Sequence, residues 1–88
     1  MTLIELADAI NVEVRVRHSP GAVSAWIADL DHTEIGNDGT LTSVCGWGRT
    51  PDEALSGVVQ QIRGKRLIVA AYGVGRPRQE LVVPETLQ

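Results

Sequence analysis

Apolar residues fall at Leu3, Leu6, Ala7 and Ile10, the i, i+3, i+4, i+7 spacing of one helix face. Thr2 and Glu5 stand at capping-box spacing ahead of that face and Asn11 follows it, so a short amphipathic helix is predicted to end near Asn11. From Val12 the period changes to two. Val12, Val14 and Val16 alternate with Glu13, Arg15 and Arg17, the pattern of a strand with one face in the core.

Ser19-Pro20-Gly21 reads as a turn, and a second strand is expected from Ala22 to Leu30. The polar stretch Asp31 to Gly39 is read as a hairpin segment closing on Asn37-Asp38-Gly39, a strong turn signal. A third strand, Thr40 to about Gly46, completes a meander. Next comes the clearest helix signal in the chain. Thr50 is placed to cap, Pro51 to occupy the first turn and Glu53 to close a capping box, with Ala54, Leu55, Val58, Val59 and Ile62 on one face and Gly64 as the stop.

Leu67 to Tyr72 is an apolar run of strand length. Gly73-Val74-Gly75 separates it from a last extended stretch, Gln79 to Val83. The element order is therefore αβββαββ, an α+β domain over residues 1–88 with one antiparallel sheet backed on one face by the helices.

Composition narrows the function classes. The chain has 88 residues, no Phe and only Trp26, Trp47 and Tyr72 as aromatics, so one small aliphatic core is expected. A single cysteine, Cys45, leaves no internal disulfide, which favours a reducing cytoplasm. Glu5 and Asp8 interrupt the N-terminal apolar stretch. No run approaches the roughly 18 residues of a membrane span, so no targeting or membrane segment is expected.

The net charge of -3 is uneven: residues 1–44 hold seven acids against two arginines, and residues 45–88 hold six cations against four acids. Such a chain is poorly suited to gripping nucleic acid over its whole surface. Arg63, Lys65, Arg66, Arg76 and Arg78 bracket the last two strands. They read first as a solvated strand edge that discourages stray pairing, and second as a phosphate-binding strip.

No motif points to catalysis. There is no nucleophile elbow, phosphate loop or Cys-x-x-Cys pair, and neither His18 nor His32 forms an evident constellation with Cys45, which reads as a small core residue. Asp29, Asp31, His32, Glu34 and Asp38 match no calcium-loop spacing and read as a solvated acidic hairpin, so no metal and no cofactor are expected.

The stretch Trp26 to about Gly64, a meander followed by Gly46-Trp47-Gly48-Arg49 and the helix start Thr50-Pro51-Asp52-Glu53-Ala54-Leu55, resembles the HicB-like family of small antitoxins. That resemblance implies a bacterial or bacteriophage accessory protein that neutralises a partner protein by direct contact. The family's separate DNA-binding module has no counterpart in the last 20 residues, which read as sheet. The element order also resembles the double-stranded-RNA-binding fold, but Asp52 and Glu53 stand where those domains carry cations at the start of the second helix.

The resulting expectation is a non-catalytic protein that binds a protein partner through Gly46, Trp47, Gly48 and Arg49, and that also forms a homodimer. The alternative is a nucleic-acid-associated protein using the C-terminal cations. For Trp47 two readings stay open: an exposed anchor, or a ring folded back over a core short of aromatics.

Overall fold

The computed structural model describes residues 1–21, 25–73 and 75–88. In chain order it contains α1 (Leu3–Ala9), β1 (Val14–Ser19), β2 (Ala25–Asn37), β3 (Thr40–Gly48), α2 (Pro51–Ile62), β4 (Arg66–Val69) and β5 (Gln79–Val82). The five strands form one antiparallel sheet. The expected start of the second strand, Ala22 to Ser24 with Val23, and Val74 between its glycines lie outside the described residues.

Both helices are capped by the threonine that their sequences supply, and the full capping box forms only at α1. The Thr2 hydroxyl accepts from the Glu5 N–H at 3.2 Å, and the Glu5 carboxylate accepts from the Thr2 N–H at 3.0 Å. At α2 the Thr50 hydroxyl accepts from the Glu53 N–H at 3.1 Å, but the Glu53 carboxylate bonds the N–H of Arg49 at 2.8 Å rather than that of Thr50. Gly64 follows the end of α2 at φ +70°, a backbone region in which glycine carries no Cβ penalty.

The long strand β2 organises the sheet. Its first half pairs with β1, its second half pairs with β4 on the same side, and β3 runs along its other side. This corrects the expectation of a polar hairpin segment over Asp31 to Gly39, because β2 continues to Asn37 and only Asp38 and Gly39 turn, both at positive φ. A bulge makes that continuation hard to read. Between the pairs Asp29–Cys45 and Glu34–Ser43, four residues of β2, Leu30 to Thr33, face the single residue Val44 of β3, and His32 sits at φ +57°.

The buried set switches phase across that bulge, from Ala28 and Leu30 to Thr33 and Ile35. The expected strand over Leu67 to Tyr72 is also shortened. It ends at Val69, because Ala70 adopts φ +53° and the chain turns there.

One sheet face and both helices enclose the core. Leu3, Leu6 and Ala7 of α1 and Ala54, Val58, Val59 and Ile62 of α2 pack with Ala28, Leu30, Ile35, Val44 and Leu67. The termini close the same layer: Leu3 N–H bonds the Gln88 carbonyl at 2.9 Å, and Leu87 is fully buried. No helix among the described residues is long and apolar enough to cross a membrane.

Candidate functional site

Among the described residues the second sheet face carries no helix, and Trp47 stands on it with 62% of its surface exposed. Strand alternation places it there. Gly46 and Gly48 point to the helix side, so Trp47 points away. A Cβ on Gly46 would lie within clash distance of the Ala54 carbonyl and 2.6 Å from the Val58 nitrogen, and one on Gly48 would lie 2.7 Å from the Ala54 nitrogen. The two glycines therefore admit the backbone of α2.

Pairing across the sheet aligns Trp47 of β3 with Ile27 of β2 and Arg17 of β1 in one row. Ile27 is almost covered, at 6% exposure, while Arg17 and Trp47 are exposed. The next row is Cys45, Asp29 and Arg15. Cys45 is half-buried there rather than in the main core as expected. The Arg15 guanidinium contacts Asp29 at 2.8 Å and Asp31 at 3.6 Å. That hydrogen bond and charge raise the Arg15 pKa further above its already high ordinary value.

The cations bracketing the last strands are drawn into separate local contacts. The Arg63 guanidinium donates to the Leu87 carbonyl at 2.7 and 3.0 Å, Arg76 donates to the Asn11 carbonyl at 2.7 Å, and Arg78 pairs with Glu80 at 2.6 Å. The bond from Arg78 holds the Glu80 carboxyl below its ordinary range. The Arg66 guanidinium lies against Gly36, where a Cβ would meet its Nη2 at 2.6 Å. Lys65 is exposed.

Asp29, His32 and Glu34 line an open cleft of about 450 Å³ at the β2 bulge, together with Arg15, Ser43 and Tyr72. Among the described residues no group of three or more His, Cys, Asp or Glu side chains is placed to hold a metal ion.

Arg17 and Ile27 are the members of the Trp47 row that sequence reading did not assign to the site. Arg17 was legible only as the polar side of an alternating strand, and its alignment with Trp47 depends on two long-range registers. Arg49 is exposed two residues beyond Trp47, with its backbone N–H held by Glu53.

Compared with protein-family models, curated proteins and solved structures, the chain matches none.

Proposed function

We propose that this domain is a non-catalytic protein-binding module whose contact surface is the helix-free sheet face centred on Trp47. The carrying observation is the exposed indole, set on a paired strand in one row with a covered Ile27 and an exposed Arg17, with Arg49 two residues further on. Trp and Arg are the side chains most enriched among interface residues that dominate binding energy, and an anchor on a paired strand loses little conformational freedom on docking. The antitoxin-like role implied by the sequence resemblance is one form this activity takes: occupancy of a partner protein by direct contact.

The nucleic-acid alternative has less support, since Arg63, Arg76 and Arg78 are committed to Leu87, Asn11 and Glu80. Of the apolar surface expected to drive homodimer pairing, Val23, Ile27 and Leu67 to Tyr72, the single chain buries Ile27 and Leu67 to Ala70, leaves Tyr72 exposed, and Val23 lies outside the described residues, so a homodimer has less support than a different partner.

The test is affinity capture from the native host with the wild-type domain and with Trp47→Ala as baits, read by mass spectrometry. A protein retained by the wild type and lost with a folded Trp47→Ala supports the proposal. Equal retention by both baits overturns it, as does recovery of nucleic acid alone in a salt-sensitive complex.

A further inference from the structure

The surplus backbone of the β2 bulge is tied down on both sides. The Thr33 hydroxyl donates to the Leu30 carbonyl at 2.8 Å in a buried contact, and the Ala70 N–H donates to the His32 carbonyl at 2.8 Å. The turn after β4 is thereby fixed beside the bulge. The open cleft of about 450 Å³ is lined by residues of both.

Asp29 belongs to a row of the Trp47 face, and Ser43, two residues before Cys45 on β3, is paired with Glu34 across the ladder. Strand alternation therefore puts the mouth of the cleft on the face that carries the indole. Ser43 and Trp47 are four residues apart on one strand, a separation of about 13 Å. Tyr72, also lining the cleft, has 79% of its surface exposed.

The charges in the wall are unevenly matched. Arg15 is shared by Asp29 at 2.8 Å and Asp31 at 3.6 Å, and the His32 Nε2 lies 3.3 Å from Asp31. Glu34, half-buried, has no cation within ion-pair distance among the described residues. One carboxylate in the cleft is thus left to a cation from outside, close to an exposed aromatic ring.

We propose that this cleft receives an arginine side chain of the partner protein, its guanidinium on the Glu34 carboxylate and against the Tyr72 ring, while Trp47 enters an apolar pocket of the same partner about 13 Å away. This rests on the reading of the Trp47 face as a protein-binding surface. Arginine suits both walls. Its planar fork gives a carboxylate two parallel hydrogen bonds and its face stacks on aromatic rings, which the compact ammonium of lysine does less well. A partner carboxylate is a poor occupant, because Glu34 repels it and Arg15 is already paired.

The experiment titrates the isotopically labelled full chain with N-acetyl-arginine amide and with N-acetyl-citrulline amide, which keeps the shape without the charge. Expected are saturable shifts at Glu34, Ser43 and Tyr72, with an affinity for the arginine compound about ten-fold above that for the citrulline compound. Glu34→Gln should weaken arginine binding about ten-fold and Tyr72→Leu about three-fold. Asp38→Asn removes the same charge from the hairpin turn and should stay within about two-fold of wild type. Equal affinity for the two compounds, a comparison that needs no variant to fold, overturns the proposal. So do shifts centred outside the cleft, no response up to the solubility limit, or equal losses in Glu34→Gln and Asp38→Asn. Trp47→Ala should bind the arginine compound within about two-fold of wild type, because the probe does not span the distance to the indole. As baits, Glu34→Lys and Trp47→Ala should both lose the captured partner. A partner lost with Trp47→Ala but kept by a folded Glu34→Lys overturns the cleft proposal alone, and the reverse pattern overturns the Trp47 reading alone.

Discussion

Gln61 and Cys45 are joined by a 2.7 Å hydrogen bond in which the helix side chain accepts from an outward N–H of the edge strand β3. The same amide donates to the Ser43 carbonyl, so a glutamine occupies the position a neighbouring strand would take. Edge strands left open invite pairing with other chains. This contact covers part of the longest outer edge of the sheet.

Replacing Gln61 with Ala is predicted to remove both bonds and leave the half-buried Cys45 N–H unpaired. The expected cost is about 1 to 2 kcal/mol in chemical denaturation, accompanied by concentration-dependent association in sedimentation. A monomer of unchanged stability would contradict the edge-cover role.

Gly46→Ala is predicted to lower stability by about 3 kcal/mol, because the new methyl group meets backbone atoms of Ala54 and Val58 that cannot rotate away. Gly21→Ala is the control, since among the described residues nothing lies within 4 Å of its Cβ position. A shift of the denaturation midpoint in the first variant and not in the second checks the close approach of α2 to β3.

Ala70→Gly should raise stability by about 1 kcal/mol. The residue holds φ +53°, a left-handed conformation costly for any side chain. Ala70 is only 8% exposed, and loss of a buried methyl would ordinarily destabilise. The sign of the change in thermal midpoint therefore distinguishes backbone strain from packing.

The capping box of α1 sets an acid dependence. Hydrogen bonds from the backbone and side chain of Thr2 hold the Glu5 carboxyl below its ordinary 4.5. A carboxyl depressed in the folded state contributes stability that is complete above its unfolded value and lost as pH falls through its folded value. Amide exchange in α1 should therefore accelerate across that acid range, and Glu5→Gln should remove this dependence. An unchanged profile in Glu5→Gln would contradict it.

Much of the architecture is legible because local rules agree with the final pairing. The sequence from Thr50 to Glu53 caps and starts α2, and Asp38-Gly39 supplies the two positive φ values of a tight hairpin. The second half of β2 is not legible. A histidine at positive φ gives no sequence signal, and the bulge around it moves the buried positions from even to odd numbers, so Asp31 to Asn37 reads as polar loop. Trp47 stands out between its glycines, but the reason for those glycines, close packing of α2, is visible only in three dimensions. The row of Arg17, Ile27 and Trp47 joins residues up to thirty positions apart through registers that no local pattern encodes.

The Trp47 face is expected to be covered when the domain meets its partner. The most direct measurement is Trp47 fluorescence in the Trp26→Phe variant, which removes the half-buried ring beside His18, taken with and without the purified captured protein. Expected are long-wavelength, readily quenched emission from the free domain and, when the partner is saturating, a blue shift and protection from quencher. Emission that stays unchanged in a complex shown by sedimentation to be fully formed would contradict it.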